Sequence, residues 1–518
     1  MTTSQAADEP HSARRAGRRE WAGLAVLALP ALLASLELTV THLALPAISR
    51  DLAPGGTELL WIVDVYAFML AGSLITMGTL GDRIGRRRLL LIGAVAFGVG
   101  SALAAYSPNA EVLIVIRALL GVAGSTLMPS VLSLATAMFP DPRQRAVAIG
   151  LIIASVSGGT AIGPLVGGWL LDRFWWGSVF LLGVPVLVPL LVLGPRLLPE
   201  HRDPGAGRLD LTSAALSLAA VLPVVYGLKQ IAADGPGALP VLSVAAGLAA
   251  AVAFTRRQRK LADPLIDLRL FANRAFSTSV GTLALGIFVL WGANYAIAQY
   301  LQLVHGLPPL EAGLWTAPSA AGVIAGSLLA PRITRRVRPG FVIGGGLALS
   351  AAGFVLLART GGSDALAILV AGSVTVSAGL GPMMALATHL AVGAAPAGRT
   401  GAASAVSSTA PQLGGALGIA ILGSVITAVY RGEMASVLPA GSLPPGLPGG
   451  VAQAVRDNLG GAVAAAERLP GALGAELLGA AHEAFTRGLH LAAVVSAVVA
   501  AGTAILVTVL LRHVRAGS

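Results

Sequence analysis

Fourteen runs of roughly 20 apolar residues divide this chain of 518 residues. They lie near 22–46, 59–80, 88–106, 110–136, 146–171, 177–198, 211–230, 238–255, 276–303, 311–331, 340–358, 364–392, 402–429 and 488–511. No water satisfies backbone N–H and C=O groups inside hydrocarbon, so a run of this length is confined to a helix. Only 11% of the residues are charged, against about 25% in an ordinary soluble chain, and the mean hydropathy is +0.80. The implied fold class is an all-α integral membrane protein with the lipid bilayer as its solvent. The absence of cysteine excludes disulfides, thiolate metal sites and cysteine catalysis. A net charge of +11 would suit nucleic acid. The arginines, however, sit in short connections between apolar runs, so no nucleic-acid partner is expected.

Lys and Arg in these connections also set the orientation. With the N-terminus in the cytoplasm, 26 basic residues fall inside and 8 outside, Lys229 among the outer eight, while Arg117 lies within a span. Both termini are therefore expected to be cytoplasmic. Residues 1–20 are polar and basic, but the run after Trp21 is too long for a signal-peptide core and contains Glu37. It reads as a retained first span.

Two inner loops resemble each other. Arg83-Ile84-Gly85-Arg86-Arg87 follows span 2, and Arg332-Ile333-Thr334-Arg335-Arg336 follows span 10. Duplication of a six-span unit explains their equal placement. The predicted organisation is a tail (1–20), a six-helix bundle (21–200), two inserted helices (201–262), a second six-helix bundle (263–511) and a tail (512–518). A long outer connection (430–487) falls within the second bundle, where one short amphipathic helix follows the prolines at 439, 444, 445 and 448 and a second follows Pro470. Halves related in this way rock around a site near the bilayer midplane.

The run from Gly78 through Asp82, Arg83, Gly85, Arg86 and Arg87 resembles the loop 2–3 signature of the major facilitator superfamily. Arg117 with Gly121 resembles its span 4 signature. Gly158 to Gly168, with Gly159, Gly163, Pro164 and Gly167, resembles the span 5 signature of its drug antiporters. The tracts ending at Pro46, around Asp64 and Tyr66, and at Gln299 to Gln302 are similar to the fourteen-span drug:proton antiporters. The resemblance covers nearly the whole chain. It implies a 6 + 2 + 6 major facilitator fold in a bacterial inner membrane, no cofactor and no metal. It further implies export of lipophilic organic cations driven by protons, by a chain that works as a monomer.

Three charged residues are expected inside the spans: Glu37, Asp64 and Arg117. Each costs about 2.5–3.5 kcal/mol at a helix centre, so each calls for a partner or a task. A carboxyl group removed from water can exchange protons near neutral pH. Glu37, with Thr41 one turn on, is the candidate that holds either a proton or a cation. The alternative is a glutamate neutralised by a neighbouring helix. Asp64 reads as a second acid near the outer end of span 2, close to Tyr66, or as a helix-start carboxylate favoured by the macrodipole. Arg117 can pair with a nearby carboxylate or clamp backbone carbonyls; the resemblance implies a part in proton transfer.

On span 9, Trp291, Tyr295, Gln299 and Gln302 recur at helical spacing, and aromatic faces attract organic cations. Met383 of span 12 and Gln412 of span 13 extend this candidate substrate wall, with packing as the competing reading. Spans 10 and 13 carry no acid at mid-depth, which predicts few coupled protons. Gly78, Asp82, Arg83, Gly85, Arg86 and Arg87 are candidates for a conformational latch at the inner face. Gly159, Gly163 and Gly167 lie on one helix face suited to close packing, beside the kinking Pro164.

Other classes fail on chemistry. A phosphate loop needs Lys after Gly, whereas the only lysines, Lys229 and Lys260, follow Leu and Arg. A zinc-protease motif would start at His482-Glu483 but ends on Thr486. The remaining rival is export of an endogenous metabolite, antibiotic or lipid on the same fold.

Overall fold

The computed structural model describes residues 16–200, 202, 210–261, 264–362, 364–396, 400–437, 449–469 and 471–514. Most of the tail at 1–20, the proline-rich stretch 438–448 and the last four residues lie outside the described residues.

All secondary structure among the described residues is helical, with fourteen helices long and apolar enough to cross a bilayer. Spans 1 to 6 are Arg18–Leu52, Gly56–Ile84, Arg86–Ala105, Ala110–Met138, Pro142–Arg173 and Ser178–Leu197. The inserted spans 7 and 8 are Leu211–Asp234 and Ala238–Lys260. Spans 9 to 14 are Arg274–Val304, Pro309–Ile333, Pro339–Leu357, Ala365–Gly393, Thr400–Val437 and Gly471–Leu510. Span 4 breaks at Ser125–Thr126 into two helical segments.

The two sets of six repeat one packing scheme. In the first, span 1 packs on spans 5 and 6, span 2 on span 4, and span 3 on spans 4 and 6. In the second, span 9 packs on spans 13 and 14, span 10 on span 12, and span 11 on spans 12 and 14. The halves meet through the reciprocal pairs 2 with 13 and 5 with 10, the pattern left by a pseudo-twofold axis. Span 8 packs on span 7, and span 7 packs on both span 2 and span 13.

Hydrogen bonds between the halves gather at the end of the bundle that holds the 1–2 connection, the outer end on the charge-based orientation. Among the described residues these are Gln302 Nε2 to the Leu43 carbonyl (3.0 Å), Ser49 Oγ to Asn458 Oδ1 (3.1 Å) and Asn458 Nδ2 to the Pro54 carbonyl (2.9 Å). Asn458 separates the helices Gly449–Asp457 and Leu459–Ala466 of the long connection. These helices are tied to span 13 by Tyr430 Oη donating to the Val455 carbonyl (2.9 Å) and by an Arg431–Asp457 ion pair. The second amphipathic helix expected after Pro470 is instead the start of span 14, which is 40 residues long. At ~1.5 Å per residue such a helix outreaches the hydrocarbon, so its first turns stand above the bilayer.

Close packing of span 5 on span 1 explains the span 5 glycines. A Cβ on Gly159 would sit 2.5 Å from the Leu32 carbonyl oxygen, and one on Gly163 would strike Thr39 Oγ1. Leu32 is backbone in a rigid helix and cannot yield. Gly159→Val should therefore lower stability by about 1–3 kcal/mol through overpacking. Gly158→Val, where nothing lies within 4 Å, should not. Thermal melts of the purified protein in detergent compare the two.

Candidate proton and substrate sites

Four spans of the first half converge on one buried ion pair. Glu37 stands at the middle of span 1, and its Oε1 accepts from Arg117 Nη1 of span 4 at 2.6 Å. Their side chains are 3% and 0% exposed. Arg117 Nε also donates to the Ile62 carbonyl of span 2 (2.9 Å). The guanidinium lies 4.6 Å from the centre of the Tyr66 ring and 5.6 Å from that of Phe180 in span 6. Gly121, one turn beyond Arg117, lets span 4 press against the backbone at Tyr66. Arg117 thus serves both as partner of the acid and as clamp on a carbonyl. Its Nη2 and the Tyr66 hydroxyl are buried without a hydrogen-bond partner.

Thr41 does not join the carboxylate. Its hydroxyl donates to the backbone carbonyl of Glu37 at 2.7 Å, closing a turn of its own helix.

Asp64 differs from expectation. Span 2 begins at Gly56, so Asp64 stands in the third turn, beyond reach of the macrodipole. Glu58 takes the helix-start role, accepting from Gly55 N at 2.8 Å. Asp64 is fully buried and pairs with Lys229 Nζ at 2.7 Å. Lys229 had counted among the outer connections; it lies inside span 7, 2% exposed, with its ammonium 3.9 Å from the centre of the Trp61 ring. The membrane interior therefore holds a fourth charge. A lysine at the boundary of an apolar run was the available signal, and loop counting assigned it to the wrong side of that boundary.

A cavity of about 120 Å³ opens between the halves, lined by spans 1, 5, 9, 10 and 12. Its polar groups are Thr39 and His42, Thr160, Asn294, Thr316 and Ser319, and Ser377, and no acid lines it. Thr160 and Pro164 are the residues of the span 5 motif on its wall. None of the expected substrate wall is there. Span 9 turns Leu290, Asn294, Ile297 and Ala298 to the cavity, while Trp291 packs on Gly415 and Tyr295 faces Gly423 of span 13. Gln299 is buried beside Tyr295 near the outer end, Gln302 bonds Leu43, and Met383 is buried against Gly286. Gln412 is half-buried, its Oε1 without a partner. Glu37 is likewise off the wall, turned towards Arg117. The structure thus separates the acid from the space where a guest would sit, and the sequence had offered no sign of His42 or Asn294 as wall residues.

Residues 27–419 match the Major Facilitator Superfamily. The chain is 43% identical to the multidrug efflux pump LfrA of Mycolicibacterium smegmatis, over 97% of this chain and 98% of that protein. It is 37% identical to the methyl viologen resistance protein SmvA of Salmonella typhimurium, over 90% of this chain and 93% of that protein. A bacterial homologue of the human lysosomal transporter Spinster, in an inward-facing conformation, superposes with a TM-score of 0.67. That match covers 96% of this chain and 99% of the other at 19% identity, and speaks for the fold. The chain belongs to the major facilitator superfamily. It is a transporter and not an enzyme, and its relatives are drug-efflux members of that superfamily.

Within this facilitator fold the loop 2–3 motif holds one half together. Asp82 pairs with Arg86 at 2.6 Å. Arg87 reaches Glu200 at 3.6 Å and donates to the Leu198 and Pro195 carbonyls at the end of span 6 (3.0 and 3.3 Å). Gly85 has φ +112°, and a Cβ there would strike the Glu200 carboxylate, so a side chain is excluded both by backbone and by space. Arg83 is exposed and Gly78 has open space beside it. Every charged partner of the motif among the described residues lies in the first half, so in this conformation it ties spans 2, 3 and 6 and does not bridge the bundles.

Removing one member of the central pair leaves an uncompensated buried charge. Arg117→Met should cost about 3–5 kcal/mol, and adding Glu37→Gln should recover most of that loss. Thermal unfolding of the single and double variants in detergent reads the difference.

Proposed function

We propose that this chain is a proton-driven exporter of lipophilic, mainly cationic compounds, acting as a monomer in a bacterial inner membrane with both termini in the cytoplasm. The proton gradient is its only energy source, and it needs no cofactor or metal. The multidrug and methyl viologen resistance relatives support the cargo class, and the excess of basic residues in the inner loops supports the orientation.

The observation that carries the proton reading is the Glu37–Arg117 contact at 2.6 Å, buried where four spans meet. A proton arriving on Glu37 neutralises the carboxylate and leaves the Arg117 cation with only the Ile62 carbonyl and the Tyr66 and Phe180 rings. Span 1, freed on one face, carries Thr39 and His42 on the cavity wall. Proton and guest are therefore coupled through the rotation of one helix and not through competition for one atom. Asp64 supports Glu37 as a second acid. The loop 2–3 residues keep the first bundle rigid as it rocks, and the span 5 glycines give span 1 a smooth track.

The acid-free, hydroxyl-lined cavity favours a second reading, in which the guest is an uncharged antibiotic or metabolite held by hydrogen bonds. Cells lacking the protein separate the two: new susceptibility to ethidium and quaternary amines supports the first reading, and retained resistance to them favours the second.

Glu37→Gln should slow ethidium efflux from loaded vesicles by at least about tenfold, the equivalent of ~1.4 kcal/mol, and abolish proton release on ethidium binding. Efflux at the full rate down a pH difference in that variant would refute the coupling role of Glu37.

A further inference from the structure

The inserted pair of spans has no counterpart in the repeated halves, yet it supplies one of the four charges buried at membrane depth among the described residues. Lys229 Nζ lies 2.7 Å from Asp64 Oδ2 under the Trp61 ring. Its helix lies on the seam between the halves. Val225 of span 7 packs with Ala67 and Phe68 of span 2 and with Ala416 and Ala420 of span 13. Those apolar contacts let span 7 slide over either neighbour. The ion pair holds it to span 2 alone. Span 13 offers Arg431 and Glu433 only near its outer end, where they pair with Asp457 and Arg487.

We propose that Lys229 positions Asp64 for proton exchange, so that a proton taken by Asp64 loosens span 7, and with it the inserted pair, from the first half. This deepens the proton-driven reading and rests on it. With the proton on Oδ2 the carboxyl is neutral, the ammonium keeps its charge, and the electrostatic tie between spans 2 and 7 falls to the weaker cation–π contact with Trp61 of span 2. The groups around Asp64 leave no substitute for Lys229. On its own helix stands the Tyr66 phenol. Span 4 brings Arg117, bonded to Glu37 of span 1 and to the Ile62 carbonyl. Span 9 brings the Tyr295 phenol, within electrostatic reach. Lys229 is absent from the cavity wall, so it acts through Asp64 and not on the guest.

The lack of cysteine in the chain allows nitroxide labels to be placed only where wanted. Labels on Glu111→Cys, at the outer end of span 4, and Ala232→Cys, at that of span 7, report movement of the inserted pair against the first half, without substrate or gradient. Acidification should shift the label distances, changing the population of the two forms roughly twofold or more. Asp64→Asn with Lys229→Met should give the acid form at every pH, and Lys229→Arg should keep the shift. The double variant leaves no buried charge unpaired, so it should melt like the parent yet expel ethidium at least about tenfold more slowly, ~1.4 kcal/mol. Label distances indifferent to pH in the parent, or full efflux by the double variant, would overturn the proposal. A pH-dependent shift in a parent whose efflux ignores the pH gradient would instead sink the proton-driven reading and leave the role of Lys229 standing.

Discussion

Charge kept out of water is the interaction on which this structure turns. An ion inside the bilayer must find an opposite charge or a polar group of the protein nearby, because lipid cannot solvate it. Two pairs meet that demand, Glu37 with Arg117 and Asp64 with Lys229, and both belong to the first half or its border with the inserted helices. Spans 9 to 13 bring no Asp, Glu, Lys or Arg to mid-depth. The repeated halves share a packing scheme but not a chemistry: the first contains ions that can be neutralised, and the second supplies apolar and hydroxyl-bearing walls. A buried pair is a poor source of stability, since its desolvation offsets most of its attraction. Its persistence at two places is better explained by what happens when one member changes charge.

Much of the fold was legible because the bilayer imposes it. A run of 20 apolar residues has one structural solution, so fourteen spans and the repeat of the Arg-Ile-x-Arg-Arg loop could be read directly. Glu37 and Arg117 were legible for the same reason, each standing alone in an apolar run. Lys229 was not, because it sits where the run of span 7 fades and the helix continues for five more residues to Asp234. The stripe Trp291, Tyr295, Gln299 lies off the cavity for a different reason. Helical spacing establishes that residues share a face, but a helix packed on several sides has no face marked by periodicity as the one beside a cavity. The neighbouring face, with Asn294 and Ala298, holds that place, and the approach of span 13 through its glycines at 414, 415 and 418 decides the matter. The amphipathic stretch after Pro470 carried a true helical signal; what sequence could not tell was that it runs unbroken into span 14.

The distribution of ties between the halves indicates how such a bundle can rock. Hydrogen bonds across the seam lie at one end, through Leu43, Ser49, Pro54 and the Asn458 corner of the long connection. The charged network of the loop 2–3 motif lies at the other and closes on its own half. Polar ties across the seam at one end, with the charged motif at the other closing on its own half, make a hinge with a defined closed side. Asn458 is the economical element: its Oδ1 accepts from Ser49 and caps Gly461 N (2.8 Å), while its Nδ2 donates to Pro54. One amide thus joins the second half to both the end of span 1 and the turn that follows it.

That placement bears on how the buried pair could act at a distance. Span 1 runs from the Asn458 tie at Ser49, past the cavity wall at His42 and Thr39, to Glu37 on its opposite side, all within 13 residues of one helix. Pro46 within this stretch removes one backbone hydrogen bond and gives the helix a point of give. The glycine face of span 5 contacts span 1 at Leu32, Ser35, Thr39 and Val40, with no side chain on the glycines to interlock. A helix anchored at its outer end, loosened at a proline and borne on a smooth track can rotate when its one ionic bond is discharged. The same rotation would turn Thr39 and His42 relative to Asn294 across the cavity, so the chemistry of a single carboxyl becomes a change in the shape of the space 120 Å³ in volume beside it.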